Sequence, residues 1–156
     1  RLYLEKEGYT TELAADGEEA VAKFNADTPD LVLLDIKQID PAQHRWLTGQ
    51  DNERILAFAR YLNAKQVPVW IRHVYVNASL NPPEQLFALG EFLGTLHNVK
   101  AVDVLPYHTM GKVKYEQLGL DYPLEGIPQA TMEQARQARS TILQGMRKAR
   151  REEKAE

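Results

Sequence analysis

The chain has 156 residues and carries 44% hydrophobic and 26% charged side chains, a balance that argues against disordered and fibrous classes. A formal net charge of −3 gives no general electrostatic reason to expect nucleic acid or an anionic membrane as a partner. No apolar run approaches the roughly 18 to 20 residues that cross a bilayer, so we expect a cytoplasmic protein.

The absence of cysteine limits the chemistry of this chain. Without thiols it forms no disulfide and supplies no thiolate ligand to zinc or to an iron–sulfur cluster. His44, His73 and His97 lack the i, i+4 spacing of a metal site on one helix, and we assign them no role. Trp46 and Trp70 are interpreted as core or interface residues.

The first part of the chain predicts helix, strand, helix and strand in that order. A short opening helix stops at Gly8, residues 9–14 form a strand, and a turn at 16–17 leads to a helix over 18–25. Residues 31–35 are a continuous apolar run closed by a carboxylate, which predicts a buried central strand.

The middle of the chain continues the alternation of helices and strands. Asn52 is the predicted N-cap of a helix over 52–65, and residues 67–76 then make a long strand. Two prolines open a helix over 82–98, and residues 102–105 form the next strand.

The end of the chain predicts a long loop and a final helix. Residues 107–130 contain three glycines and two prolines, so they are interpreted as a functional loop after a strand. Thr131, followed by Glu133 and Gln134, forms a capping-box pattern that begins the last helix, which Gly145 weakens near its end. The predicted core face of this helix consists of Met132, Ala135, Ala138, Ile142 and Met146.

This order of elements is typical of an α/β fold. We predict a parallel sheet of about four strands with flanking helices, arranged as a flavodoxin-like sandwich or as half of a (β/α) barrel. Residues 1–146 form the predicted single domain, and residues 147–156 form a charged C-terminal tail. The basic residues of this tail are interpreted as the solvated end of the last helix.

Three stretches near the start, at residues 4–9, 14–20 and 29–36, stand in the order found in one signalling family. Residues 1–36 resemble a bacterial response-regulator receiver domain. In that family the aspartate that ends this strand accepts a phosphoryl group, so the resemblance implies a phosphoacceptor at Asp35. The acidic pair that holds magnesium in receivers is missing, which removes the main electrostatic help for phosphorylation.

A second set of motifs covers residues 29–143 and includes Asp35-Ile36-Lys37, His44-Arg45-Trp46-Leu47-Thr48-Gly49, Val69-Trp70-Ile71-Arg72 and Leu105-Pro106-Tyr107-His108. In this order they resemble the C-terminal half of pyruvate formate-lyase activating enzyme. That family belongs to the radical S-adenosylmethionine enzymes and activates glycyl-radical enzymes. The two resemblances overlap on one strand, at residues 30–37.

The second resemblance implies an S-adenosylmethionine site at the carboxyl ends of barrel strands. It places cofactor contacts at Asp35, Ile36, Lys37, Arg72 and His108, with no catalytic residue and no metal ligand. Lys37 and Arg72 suit anion and ribose contacts, Asp35 suits a cation or hydroxyl, and His108 suits the adenine. The alternative interpretation is that these residues are ordinary surface charges and a remnant histidine.

Several parts of the second family's pattern are missing. The sequence lacks the C-x-x-x-C-x-x-C motif, the glycine-glycine-glutamate strand and the ribose-contacting strand, and the loop at 76–82 lacks the proline-glycine step. We therefore interpret the chain as a chimera, a non-catalytic α/β scaffold with weak S-adenosylmethionine affinity and no 4Fe–4S cluster. A fragment of a radical activase and a receiver-like module phosphorylated on Asp35 stay open as alternatives, as does a homodimer.

Overall fold

The structure is a computed structural model that describes residues 5–14 and 17–155, without the side chains of residues 17 and 18. The chain divides into two compact units, Arg1–Asp30 and Leu31–Glu156, and each is described by itself. The boundary between the units falls inside the overlap of the two resemblances. The extent of the predicted domain, 1–146, stays a prediction.

The first unit contains helix α1, Gly17–Ala26, and this confirms the helix predicted over 18–25. The strand predicted over 9–14 is wrong, because these residues belong to no strand. Tyr9 and Leu13 are 63% and 62% exposed, so the segment lacks the buried face that would hold a strand against a neighbour. The opening helix and the turn at 16–17 fall partly outside the described residues.

The second unit is built on a sheet of three parallel strands, β1 Val32–Asp35, β2 Val69–Tyr75 and β3 Val99–Pro106, in the order β1-β2-β3. The predicted α/β class is confirmed, but the described residues contain three strands where about four were expected. β1 lies at an edge of this sheet and not at its centre, which is occupied by β2.

Five α-helices and one 3₁₀-helix accompany the sheet: α2 Pro41–Thr48, α3 Glu53–Ala64, α4 Pro83–Gly94, the 3₁₀-helix Thr109–Gly111, α5 Lys112–Leu118 and α6 Met132–Glu153. The helices predicted at α3, α4 and α6 are confirmed. Helix α2 was not predicted, although Asp40 caps it by accepting a hydrogen bond from the Gln43 N–H at 2.8 Å. No helix in residues 5–14 and 17–155 is long and apolar enough to span a membrane.

The two faces of the sheet differ in burial. Alternate residues such as Leu34, Ile71 and Val104 are 6% exposed or less and form the core with the helices. The opposite side, which we call the open face, carries Leu33, Asp35, Trp70, Arg72, Asp103 and Leu105. Leu33, Trp70 and Leu105 are 38%, 44% and 39% exposed, so Trp70 is not a core residue, and its interpretation as an interface residue stays a prediction. Trp46, at 54%, is also exposed.

Residues 107–130, predicted as a loop, contain the 3₁₀-helix and α5 and build a small second core. Val76, Tyr107 and Leu124 are buried there, with Tyr122 packed against them. The hydroxyls of Tyr107 and Tyr122 lie 2.9 Å apart in a hydrogen bond. The segment is held to the carboxyl ends of the strands by these apolar contacts and by the Tyr107 N–H, which donates to the Tyr75 carbonyl at 2.8 Å.

Helix α6 begins with the predicted capping box: the Thr131 side chain accepts from the Gln134 N–H, and the Gln134 side chain accepts from the Thr131 N–H. Four predicted core residues, Ala135, Ala138, Ile142 and Met146, are buried, but Met132 is 58% exposed. The predicted charged tail over 147–156 continues the helix as far as Glu153.

Helices α4 and α6 meet at glycines. A Cβ atom on Gly145 would overlap the Phe87 carbonyl oxygen, and one on Gly90 would overlap the Ile142 carbonyl oxygen. The two backbones therefore approach each other more closely than any side chain permits. Gly145, predicted only to weaken its helix, is needed for this contact.

We expect Gly145→Ala to lower the free energy of unfolding by about 1–3 kcal/mol, because the added methyl group overpacks the α4–α6 contact. Gly111→Ala is the matched control, since a Cβ there meets nothing within 4 Å and the backbone φ is −68°. Urea denaturation of both variants measures the difference. Equal stability of the two variants would contradict the assigned contact.

The described core also contains two buried histidines. Burial lowers the pKa of His73, assisted by the charge of Lys37 and opposed by the bond to the Ile36 carbonyl. Burial likewise lowers the pKa of His44. Both imidazoles are therefore neutral in the folded chain at neutral pH.

The lowered histidine pKa values predict a pH-dependent stability. Below about pH 6.5 the unfolded chain takes up protons that the folded chain does not. The contribution of these two histidines to the free energy of unfolding is therefore complete above that pH, and it declines as the pH falls towards the native pKa values. Denaturation between about pH 7.5 and 5.5 should show this slope, and His73→Met should reduce it. A stability that stays constant over this interval would refute the prediction.

Candidate functional site

Three of the predicted site residues meet at the carboxyl end of β1, but Arg72 lies in the middle of β2 and not at the carboxyl end of that strand, where the resemblance had placed the site. Asp35 ends β1 and is paired in register with Arg72 of β2. The Arg72 guanidinium donates two hydrogen bonds, from Nε to Asp35 Oδ1 at 2.9 Å and from Nη2 to Oδ2 at 3.1 Å. The Lys37 ammonium lies 3.4 Å from Asp35 Oδ2. One carboxylate is thus held between two cations.

This contact decides the charge state of the carboxyl group. Burial alone would raise the pKa of Asp35, but the hydrogen bonds from Arg72 and the charges of Lys37 and Arg72 outweigh it and lower the pKa. The bond to Asp35 raises the pKa of Arg72. Asp35 is therefore ionised at neutral pH.

A fourth charge completes the group. Asp103 of β3 is paired in register with Arg72, and its negative charge helps to raise the Arg72 pKa. We call Asp35, Lys37, Arg72 and Asp103 the charged cluster. Its formal charges, two negative and two positive, sum to zero, and Trp70 precedes Arg72 by two residues on the same face of β2. A charge-balanced cluster beside exposed apolar side chains suits a ligand with both positive and negative groups.

Ile36 is placed differently from its neighbours. Its side chain is completely buried, and its N–H donates to the Arg72 carbonyl at 3.0 Å. Its carbonyl lies 2.8 Å from His73 Nδ1. A contact between Ile36 and a cofactor stays a prediction, and the described groups of this residue are already engaged within the protein.

His108 lies outside the charged cluster. It is exposed and is the N-cap residue of the 3₁₀-helix, with an extended backbone and no side-chain cap bond. Asp103 stands at the level of Arg72, and His108 follows it by five residues, which is about 16 Å along an extended chain. One ligand would have to be elongated to touch both.

The sequence interpretation missed Asp103. The run from Val102 to Leu105 alternates apolar and polar in a way that places Asp103 on the face opposite Val102 and Val104. The signal was present, but only the register with β2 shows which charge the carboxylate meets.

Asn52, predicted as a helix cap, makes no side-chain cap bond and donates instead to the Ile39 carbonyl at 2.6 Å.

The residues present fit two implied groups unequally. The cations of the charged cluster fit the carboxylate of S-adenosylmethionine, and the cluster's two carboxylates fit the ammonium and the sulfonium. A 4Fe–4S cluster does not fit, because the sequence has no cysteine. The described residues also contain no group of three or more His, Asp or Glu side chains that could hold a metal ion.

Comparison with known proteins finds similar sequences and a similar solved structure. No family model matches the chain. It is 52% identical over 113 residues to a pyruvate formate-lyase-activating enzyme of Streptococcus mutans, a match that covers 72% of this chain and 43% of that protein. The protein of the same name from Listeria monocytogenes is 54% identical over 101 residues, covering 65% of this chain and 41% of its own length.

Among solved structures, a domain of the pyruvate-formate lyase-activating enzyme from Bacteroides vulgatus has a similar fold, with a TM-score of 0.62, 21% identity, and coverage of 85% of this chain and 72% of that one. The α/β fold is therefore shared with that domain. The resemblance to pyruvate formate-lyase activating enzyme is confirmed over about 70% of the chain, which spans about two fifths of the length of the curated relatives that it matches.

Proposed function

We propose that residues 29–143 are the S-adenosylmethionine-binding part of a glycyl-radical-enzyme activase, and that this chain binds the cofactor without carrying out radical chemistry by itself. The observation that carries the proposal is the contact of Asp35, at the carboxyl end of β1, with Lys37 and with Arg72 of the adjacent parallel strand. Ligands of α/β sheets and barrels bind at this end of the strands. The 52% identity to a named activating enzyme supports the choice of ligand.

The carboxylate, the ammonium, the ribose hydroxyls and the adenine of the proposed ligand each have a complementary side chain. S-adenosylmethionine carries a carboxylate, an ammonium, a sulfonium and ribose hydroxyls. Arg72 and Lys37 offer cationic donors to the carboxylate or to hydroxyls, while the ionised Asp35 accepts from the ammonium or from a hydroxyl. The adenine would reach towards His108, whose imidazole can stack on it or form a hydrogen bond with it.

The absence of cysteine sets the limit of the proposed activity. A cluster bound through thiolates would need ligands from outside these 156 residues, so reductive cleavage of the cofactor is not assigned to them. Action on pyruvate formate-lyase, which the relatives' name states for them, is proposed only for an assembly that supplies such a cluster. For this chain the proposal is a binding function.

The chimeric origin also stays a proposal. Residues 1–36 resemble a receiver, and the units divide at Asp30 and Leu31. Phosphorylation of Asp35 is the corresponding alternative, but both oxygens of this carboxylate accept hydrogen bonds from Arg72. A phosphoryl group would therefore have to displace the guanidinium from at least one oxygen. No specific contact in the described residues favours this second function.

A titration with S-adenosylmethionine, followed in a two-dimensional amide NMR spectrum, tests the proposal. We expect saturable shifts at Asp35, Lys37 and Arg72, and weaker binding of S-adenosylhomocysteine, because it lacks the sulfonium charge that favours a carboxylate neighbour. If no amide signal shifts at millimolar S-adenosylmethionine, the proposed binding function is wrong, and the chain is a scaffold without this ligand.

Arg72→Lys should weaken the binding of S-adenosylmethionine about tenfold or more, since losing a charge-assisted hydrogen bond costs about 1.5–3 kcal/mol. Arg45→Lys is the control, because Arg45 makes an exposed pair with Asp51 and neither residue belongs to the charged cluster. Calorimetric titration measures both affinities. If the two variants bind the cofactor equally, the assignment of Arg72 to the site is wrong.

A further inference from the structure

His73 follows Arg72 on β2 but points to the opposite face of the sheet, where it is 1% exposed. Its two ring nitrogens each have one partner. Nδ1 lies 2.8 Å from the Ile36 carbonyl oxygen, and Nε2 lies 3.2 Å from the Asn81 Nδ2 amide. The ring therefore connects the residue after β1 with the loop after β2.

The position of the proton on this ring follows from the hydrogen-bond partners. The Val76 backbone N–H can only donate, and it lies 2.7 Å from Asn81 Oδ1, so the oxygen of the Asn81 amide must face Val76. The Asn81 NH₂ group then faces His73 and donates to Nε2. Nε2 is consequently unprotonated, and Nδ1 carries the proton that it donates to the Ile36 carbonyl. Each bond fixes the direction of the next.

The bond to the Ile36 carbonyl acts where the strand pairing stops. Register pairing of β1 with β2 ends at Asp35 and Arg72, and the Ile36 N–H makes a further bond to the Arg72 carbonyl. His73 holds the other side of the same residue. Because Ile36 stands between Asp35 and Lys37, its orientation sets the directions in which their side chains leave the backbone.

A second buried connection runs parallel to the first. Gln38, 3% exposed, donates from Nε2 to the Leu80 carbonyl at 2.6 Å, while its Oε1 accepts from the Ile39 N–H at 2.7 Å. The chain after β1 is thus joined to the chain after β2 at two points, through His73 with Asn81 and through Gln38. His73 is the one of these that touches the residue between Asp35 and Lys37.

We propose that His73, oriented by Asn81, is a positioning residue that fixes the backbone at Ile36 so that the Asp35 carboxylate meets the Arg72 guanidinium in its two-bond geometry. The inference rests on the proposed function for its ligand, S-adenosylmethionine, but its geometric content concerns the Asp35–Arg72 contact alone. Burial and the nearby Lys37 charge, which lower the His73 pKa, agree with a neutral ring at this position.

The tautomer can be tested on the unmodified chain. Labelling histidine with ¹⁵N should show, for His73 at neutral pH, a protonated Nδ1 and an unprotonated Nε2. The opposite tautomer would overturn the inference, because a protonated Nε2 cannot accept from Asn81 and leaves the Ile36 carbonyl without its donor.

Substitutions test the positioning role. His73→Leu removes both bonds, whereas His73→Asn places an amide donor near the former Nδ1. We expect the Arg72 Nε–H signal, sharp and slowly exchanging in the parent chain, to be lost in His73→Leu and largely recovered in His73→Asn. S-adenosylmethionine affinity should fall about tenfold in the first variant and by less than threefold in the second. If His73→Leu does not fold, Asn81→Ala takes its place in the test. Asn81→Ala removes the amide that orients the ring, and we expect the same loss of the Arg72 signal and of affinity.

Asn98→Ala separates positioning from general destabilisation. Asn98 is also buried and donates to the Val67 carbonyl at 2.7 Å, next to the start of β3. It should lose stability but keep the Arg72 signal and the affinity. If the Arg72 signal is unchanged in His73→Leu, the positioning role of His73 is wrong, but the proposed function is not affected. Failure of the parent chain to bind S-adenosylmethionine, with the Arg72 signal responding as expected, would instead remove the proposed function and leave the positioning role intact.

Discussion

Parallel pairing of β1 with β2 is the constraint on which the candidate site depends. The register sets Asp35 opposite Arg72, and the ladder ends at that pair. A shift of β1 by one residue would move Asp35 to the buried face and bring Ile36 to the open one, while β2 stays in register with β3. The hydrogen bonds of His73 and Gln38 beyond the last pair make such a shift costly, since each would leave a buried polar group without a partner.

The open face explains why charged residues are tolerated beside a hydrophobic sheet. Parallel sheets are normally covered on both sides, and their strands then consist of apolar residues throughout. Here the helices bury one side, and the other keeps Trp70 and Leu105 partly exposed around Arg72. Partial exposure lets the charged cluster retain solvent, which reduces the desolvation penalty that burial imposes on Asp35 and Arg72.

The sequence predicted the α/β class, the helices with strong apolar periodicity and the capping box at Thr131, because these depend on local patterns. It failed where the outcome depends on distant partners. Residues 9–14 have strand-like composition but no buried face, and Asn52 has a cap residue's type but a better partner in the Ile39 carbonyl. Asp35, Lys37 and Arg72 came from family resemblance, whereas Asp103 needed the register of β3. His73 was set aside because only the fold shows that it spans two chain segments.

The glycine contact between α4 and α6 has a mechanical consequence. Where two helices touch through side chains, small rotations are absorbed by changes of rotamer, but Gly90 and Gly145 bring main chain against main chain. Such a contact contains no side chain that can change its rotamer, so we expect the two helices to move together as a rigid unit. We therefore expect a rearrangement that accompanies ligand binding to occur at the carboxyl ends of the strands and in the segments that follow them, and not between these two helices.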